Sequence, residues 1–172
     1  MRLQATAKAN GLSAARSRSS MEELYLVLGK AAGDRGYSVL LYEGPGQGQA
    51  LRNGLKFLPE WERPTKALLD DFLCSHLRPP KMVLIGMSMG GYFAPRAAAF
   101  EPRIDGVVAF DTCFDFEQCT RPIVAALASS PTAMKNPDVA WGYKNALWTL
   151  GTKDIEDTRK AFGPYTLAPV AP

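Results

Sequence analysis

Along residues 20–110, segments with helical spacing of apolar residues alternate with short runs that are almost continuously apolar. Helices are predicted to begin at Ser20, where Ser20-Met21-Glu22-Glu23 forms a capping box, at Pro64, and after the glycine pair at 90–91. The predicted strands are 37–42, 82–85 and 104–110. This alternation is typical of a mostly parallel sheet with helices on both faces, so the sequence predicts an α/β fold.

Two helical regions complete the prediction. The helix from Ser20 ends near Gly33, and its apolar face is expected to be Leu24, Val27, Leu28 and Ala31. From Cys113 onward strands disappear, and helical stretches are predicted at 117–129, 137–150 and 153–162. We interpret this part as a small helical insertion over the carboxyl edge of the sheet. Trp141 and Trp148, seven positions apart, are expected to serve packing, with a substrate platform as the alternative.

The composition narrows the classes of function. The net charge is +3 and the basic residues are scattered, which gives no support to nucleic-acid binding. The longest uncharged run ends at Arg96 and is interrupted by glycines, so it predicts a buried strand and helix rather than a membrane span. The 3 cysteines lack C-x-x-C spacing, which favours a reducing, cytoplasmic compartment and argues against a zinc site or a disulfide framework.

Residues 1–19 are predicted to be a disordered basic leader. They contain four basic side chains and no acidic one, and they lack the apolar run of a secretory signal. An organelle-targeting role for residues 1–20 stays open as the alternative. The rest of the chain is expected to divide into a core at 20–112 and a helical segment at 113–172.

One motif of the sequence contains a candidate catalytic serine. Gly86-Met87-Ser88-Met89-Gly90-Gly91 has the G-x-S-x-G form and lies between a predicted strand and a predicted helix. A sharp turn of this kind is a nucleophile elbow: it exposes the serine hydroxyl at the amino end of a helix, where free N–H groups favour a developing oxyanion. The alternative is a glycine-rich strand–helix turn without chemistry.

Three segments together carry a family resemblance: Glu43-Gly44-Pro45-Gly46-Gln47-Gly48, Pro59-Glu60-Trp61-Glu62, and the elbow continued through Arg96. On these motifs the chain resembles the α/β-hydrolase superfamily. It looks most like the branch of the fungal yellowish-green pigment hydrolases, the fermentation-respiration-switch proteins and the pseudooxynicotine hydrolase. The resemblance implies a doubly wound, mostly parallel sheet with a helical cap after the strand ending at Asp111. It also implies Ser-His-Asp hydrolysis of esters, amides or carbon–carbon bonds next to a ketone, and a place in secondary metabolism.

The resemblance assigns roles to two positions of this chain. Ser88 matches the nucleophile, and the backbone N–H of Met89 matches one oxyanion donor. Such proteins have a strand and a glycine-containing loop before the first helix, and the segment 15–19 has neither an apolar run nor a glycine. The strands that carry the acid and the histidine do not follow before Pro172. The expectation is therefore a partial hydrolase fold, truncated at both ends.

Further candidates follow from the positions of residues at predicted strand ends. Glu43 and Gly44 follow the first strand and Asp111 follows the last, so these three are candidates to line the cleft near Ser88. For Asp111 the alternative is a capping or turn aspartate at the end of a strand. The glycines of the 44–48 loop lack the spacing of nucleotide-binding motifs. His76, the only histidine, precedes the elbow strand, so it is expected at the far end of that strand from Ser88.

Two classes of function remain. The first is a serine hydrolase that acts through Ser88 on a small ester, amide or ketone, including polyketide-like molecules. The second is a catalytically inert fragment or a non-enzymatic binding protein, because a serine without a base is a poor nucleophile. The expected partner is a small molecule, with no cofactor, no metal, no nucleic acid and no membrane; a homo-oligomer stays open.

Overall fold

The computed structural model describes residues 10–16, 21–130 and 132–170. Within them, strands pair side by side into a single sheet, and every neighbouring pair is parallel. The strands are β1 (Asn10–Arg16), β2 (Ser38–Leu41), β3 (Lys81–Met87) and β4 (Gly106–Phe110). Their order across the sheet is β2–β1–β3–β4.

Helices separate and follow the strands. In chain order they are α1 (Met21–Leu24), a π-helical turn (Tyr25–Gly29), α2 (Lys30–Gly33), α3 (Gly48–Arg52), α4 (Glu62–Ser75), α5 (Gly90–Phe100), α6 (Phe116–Ser129), α7 (Pro137–Leu150) and α8 (Ile155–Phe162). Short 3-10 turns occupy Ala133–Lys135 and Ala168–Val170. No helix among the described residues is long and apolar enough to cross a lipid bilayer.

The chain divides into two compact units. The unit that holds the sheet runs as far as Gly44 and resumes at Glu60–Thr112. The other unit comprises Pro45–Pro59 and the chain from Cys113 onward. The candidate chemistry of the elbow belongs to the first unit.

The order of the strands determines which face each helix covers. From β1 the chain steps to β2 on one side, crosses to β3 on the other side of β1, and continues to β4. Because parallel crossovers are right-handed, the helices between β1 and β2 cover one face, while α4 and α5 cover the other. In the structure α5 packs against β3 and β4, and α4 packs against α5. The predicted α/β class, with a parallel sheet and helices on both faces, is confirmed.

The prediction of a disordered leader is wrong for residues 10–16. These residues form β1, which lies inside the sheet and pairs with β2 on one side and β3 on the other. The segment carries a single large apolar residue, Leu12, so periodicity gave no strand signal. Pairing of its backbone on both sides overrides the weak side-chain pattern. Residues 1–9 and 17–20, including the predicted cap Ser20, lie outside the described residues.

The predicted apolar face of the first helix is shifted by one position. Leu24 is buried and Leu28 half-buried, as expected, but Val27 and Ala31 are exposed and Ala32 is buried instead. The π-helical turn inserts one extra residue between α1 and α2. One residue corresponds to about 100° of rotation, which moves the buried stripe onto the next position.

A block of buried side chains fixes the position of α5. Trp61 is fully buried, and its ring stacks on Phe93 of α5 with 3.8 Å between the centroids. The Trp61 indole N–H donates a hydrogen bond to the Tyr42 hydroxyl at 3.1 Å, and the Tyr42 and Thr65 hydroxyls are 3.2 Å apart. Burial raises the pKa of Tyr42. The end of β2, the first turns of α4 and the elbow helix α5 are thereby held together.

The second unit contains the three predicted helical stretches as α6, α7 and α8. An ion pair joins two of them, with 2.7 Å between the Arg159 guanidinium of α8 and the Glu117 carboxylate of α6. Trp141 and Trp148 of α7 are 51% and 50% exposed. Both side chains are half-exposed, so the packing role expected for them stays a prediction. The cap function of this unit stays a prediction.

Candidate active site

Ser88 lies at a sharp turn between the end of β3 and the start of α5. Its backbone has a φ of +57°, in the left-handed region that residues with a Cβ rarely adopt. A Cβ on Gly86 would collide with the carbonyl oxygen of Gly90, so the first glycine of the motif is required by the close approach of the helix. Strand, strained serine and helix follow one another as the motif predicts.

The backbone around Ser88 leaves the N–H groups of Met89 and Gly90 without an acceptor among the described residues. The Gly91 N–H donates to the Ser88 carbonyl at 2.7 Å, and the N–H groups of Tyr92 and Phe93 donate to the Met89 carbonyl. The Met89 N–H makes no hydrogen bond to any other residue of the described part of the chain. A donor at the amino end of α5, next to the Ser88 hydroxyl, can stabilise an oxyanion. The role of Met89 stays a prediction.

The end of β4 supports this turn from the neighbouring strand. The Ser88 N–H donates to the Phe110 carbonyl at 3.1 Å, which continues the β3–β4 pairing by one residue. A Cβ on Gly91 would lie 2.6 Å from the Asp111 carbonyl oxygen and 2.9 Å from that of Phe110. Asp111 itself has a φ of +59° and an exposed side chain. The sequence placed Asp111 near Ser88 but missed Gly91, whose only signal is the second glycine of the pair.

Glu43 and Gly44 lie at the same edge of the sheet but farther from Ser88. They follow β2, and β1 separates β2 from β3. At about 4.8 Å per strand, the axes of β2 and β3 are about 10 Å apart. Glu43 is half-buried, and Gly44 is buried with its Cα against the Trp61 indole. The sequence could not predict this spacing because it did not reveal β1.

His76 lies at the opposite end of the elbow strand from Ser88. It is exposed at the end of α4, where its Nδ1 is 2.9 Å from the Ser75 hydroxyl oxygen and 3.0 Å from the Phe72 carbonyl oxygen. Since β3 rises about 3.3 Å per residue, the two side chains are about 20 Å apart. The expected surface position of His76 near a helix end is confirmed, and His76 does not activate Ser88.

The described residues offer no cluster of histidine, cysteine, aspartate and glutamate side chains that could hold a metal ion. What the site brings together is a half-buried hydroxyl at Ser88 and a backbone donor at Met89, beside the backbone carbonyl of Asp111 directly after β4. These groups suit attack on a carbonyl carbon and stabilisation of the resulting oxyanion. The proton of the hydroxyl needs an acceptor other than His76.

Comparison with known proteins places these features in context. Residues 11–171 match the sequence profile of the Alpha/beta hydrolase family. "Hydrolase acrC" of Aspergillus aculeatus is 44% identical over 110 residues, which cover 60% of this chain and 25% of that protein. "Alpha/beta hydrolase psoB" of Aspergillus fumigatus is 33% identical over 174 residues, which cover 87% of this chain and 39% of that protein.

A solved structure shares the fold. The crystal structure of the 2,6-dihydroxy-pseudo-oxynicotine hydrolase superposes with a TM-score of 0.75 at 18% identity. The match covers 97% of this chain and 43% of that protein. The chain thus spans between a quarter and about two fifths of the length of these relatives.

Proposed function

The chain belongs to the alpha/beta hydrolase family, and we propose on that basis that it acts as a hydrolase with Ser88 as its nucleophile. The observation that carries the proposal is the backbone of Ser88, held at a φ of +57° between β3 and α5. Strain of this kind costs about 1–3 kcal/mol and is concentrated at functional sites. If the turn had no chemical role, glycine at this position would make it more stable.

In the proposed reaction the Ser88 oxygen attacks the carbonyl carbon of the substrate. The N–H of Met89 donates a hydrogen bond to the oxyanion that forms, and the leaving group departs to give an acyl-enzyme. Water then attacks the same carbon and releases the acid, which restores the serine. The hydroxyl proton passes through a base to the departing alkoxide, amine or carbanion of the leaving group, and this base is not His76, because His76 lies at the other end of β3.

The proposed substrate is a small ester, amide or ketone, including polyketide-like molecules. Its class rests on family membership and on the carbonyl chemistry that a serine nucleophile performs. Parallel α/β sheets bind ligands outside the carboxyl ends of their strands, where the strand order reverses, and here that point lies between β1 and β3. Glu43 and Gly44, at the end of β2, are proposed to line the side of this crevice away from β4. The same proposal includes the helical segment from Cys113 onward, which would act as a cap.

The test is labelling of the purified chain with a fluorophosphonate probe. We expect covalent labelling of the wild-type protein on Ser88, located by peptide mass spectrometry, and none of the Ser88→Ala variant. Ser75→Ala is the matched control, because Ser75 is the serine hydrogen-bonded to the only histidine. Equal labelling of Ser88→Ala and wild type, with loss of labelling in Ser75→Ala, would reject the proposed nucleophile.

The second candidate is a binding protein that keeps the elbow without turnover. The observation that favours it is the distance of about 20 Å that the length of β3 puts between Ser88 and His76. This candidate predicts a cooperatively unfolding protein that no fluorophosphonate labels. The two functions are therefore separated by combining the labelling experiment with a thermal unfolding curve of the same sample.

A further inference from the structure

Two adjacent strands end in the same strained backbone conformation. Ser88 directly follows β3 with a φ of +57°, and Asp111 directly follows β4 with a φ of +59°. They are the only described residues other than glycine with a positive φ. The strain at Ser88 belongs to the nucleophile elbow, whereas the strain at Asp111 has no explanation in the elbow motif.

The carbonyl groups of Phe110 and Asp111, next to the strained backbone of Asp111, contact the elbow. The Phe110 carbonyl accepts the Ser88 N–H at 3.1 Å, and the Asp111 carbonyl oxygen lies so close to Gly91 that a Cβ there would come within 2.6 Å of it. The Thr112 hydroxyl donates to the Ala109 carbonyl at 3.3 Å and closes the turn after β4. The chain must therefore turn at Asp111 while its carbonyl groups keep pointing toward the elbow.

We propose that Asp111 is a positioning residue: its left-handed backbone, rather than its carboxylate, holds the Phe110 and Asp111 carbonyl groups under the elbow and so sets the position of Ser88. The inference rests on the proposed role of Ser88. In an extended conformation at residue 111 the Asp111 carbonyl would rotate away from Gly91, and the end of β4, whose Phe110 carbonyl accepts the Ser88 N–H, would be held less firmly against the elbow. Aspartate and asparagine tolerate positive φ better than other residues with a Cβ, and glycine tolerates it freely.

Four substitutions of Asp111 distinguish the effect of its backbone conformation from the effect of its carboxylate charge. Asp111→Asn and Asp111→Gly remove the carboxylate but accept a positive φ, whereas Asp111→Ala and Asp111→Val remove it and disfavour that conformation. We expect the first pair to be phosphonylated on Ser88 about tenfold faster than Asp111→Ala, and Asp111→Val to be slowest. All rates are measured with the fluorophosphonate probe well below the unfolding temperature of each variant.

A control separates positioning from general stability. Leu24 is buried in α1, away from the elbow, so Leu24→Ala is expected to lower the unfolding temperature. Its labelling rate is expected to stay at the wild-type value. If Leu24→Ala slows labelling as much as Asp111→Ala does, the effect at Asp111 is one of stability and the proposal fails.

Hydrogen exchange of the Ser88 amide tests the inference without any activity. We expect this amide to exchange about tenfold faster in Asp111→Ala than in Asp111→Asn, because the acceptor at Phe110 is loosened. Equal exchange and labelling in all four variants would overturn the role of Asp111, and equally slow labelling in all four would assign it to the carboxylate. Absence of labelling in the wild-type protein, with the expected exchange pattern, would reject only the role of Ser88 as nucleophile.

Discussion

At the residue scale, the backbone conformation of Ser88 lowers the stability of the fold but keeps a hydroxyl group at the turn. A left-handed conformation costs a residue with a Cβ about 1–2 kcal/mol, and glycine avoids this cost. The structure keeps serine at a φ of +57° where glycine would be more stable. The hydroxyl group is the only feature of the side chain that glycine could not replace, so its retention there is consistent with a chemical role.

The positive φ at Ser88 predicts that glycine and alanine substitutions have opposite relative effects at Ser88 and at Ser75. Ser88→Gly should be more stable than Ser88→Ala by about 1 kcal/mol, because only glycine relieves the positive φ. At Ser75, the last residue of α4, the order should reverse, because alanine favours helix more than glycine does. Urea unfolding of the four variants measures both differences. An alanine variant at Ser88 as stable as the glycine variant would show that the turn is not strained.

The three cysteines should differ sharply in reactivity. Cys74 and Cys119 are exposed, whereas Cys113 is buried. Burial raises the pKa of Cys113 to about 12, with a further contribution from its hydrogen bond to Cys119, so very little thiolate forms at pH 8. We expect a chromogenic disulfide reagent to titrate Cys74 and Cys119 rapidly in the folded protein and Cys113 only on unfolding. The Cys113→Ala variant should show the same rapid phase and no slow one. Rapid reaction of all three thiols would contradict the burial of Cys113.

At the scale of elements, an ion pair ties the elbow helix to its neighbour. Arg96 of α5 donates from Nε and Nη2 to the two carboxylate oxygens of Glu62 of α4, each at 3.0 Å. Both side chains are largely buried. Partial burial alone would raise the pKa of Glu62, but the hydrogen bonds and the charge of Arg96 outweigh it and lower the pKa. The pair therefore stabilises the folded state whenever Glu62 is ionised.

A lowered pKa gives this contribution a defined pH window. It is present above the unfolded-state pKa, about 4.3, and is lost as the pH falls through the lower folded-state pKa. The Glu62→Gln variant should lose on the order of 1–2 kcal/mol of unfolding free energy at pH 7. Its deficit should shrink between about pH 5 and pH 3.

The exposed Lys30–Asp34 pair supplies the control for this measurement. Asp34→Asn should change stability by about 0.5 kcal/mol or less, because exposed pairs are screened by solvent. Denaturant unfolding at several pH values measures both variants. A Glu62→Gln deficit that stays constant from pH 7 to pH 3 would show that the Arg96 contact does not depend on the carboxylate charge.

Elements with a regular apolar pattern were predicted from the sequence, and elements without one were not. The strands β2, β3 and β4 and the helices from Glu62 onward have continuous or periodic apolar residues, and each is found within a few positions of its prediction. The π-helical turn has no sequence signal, so the buried face of the first helix was misplaced. In the site, the elbow was predicted from its glycines. The support from Phe110 and Asp111 was missed because it depends on carbonyl groups that every residue possesses.

At the scale of the whole molecule, β1 holds the sheet together. It is the strand that joins β2 to the β3–β4 pair, so without it β2 has no partner among the described strands. Its register aligns Ser13 with Leu40 of β2 and Leu84 of β3. A central strand of a parallel sheet is usually a run of large apolar residues, and this one is not. Its place in the sheet is therefore set by backbone pairing on both sides.

The central position of β1 can be tested by removing one backbone donor. Ser13→Pro eliminates the N–H at the middle of the strand and places a ring where the ladder must continue, so it should cost about 3 kcal/mol or more and abolish cooperative unfolding. Ser13→Ala removes the same hydroxyl but keeps the donor, and it should unfold close to the wild-type midpoint. Circular dichroism during heating distinguishes the two. If residues 10–16 were a disordered leader, both variants would unfold at the wild-type temperature. A cooperative transition in Ser13→Pro at that temperature would thus restore the interpretation that the apolar pattern alone suggested.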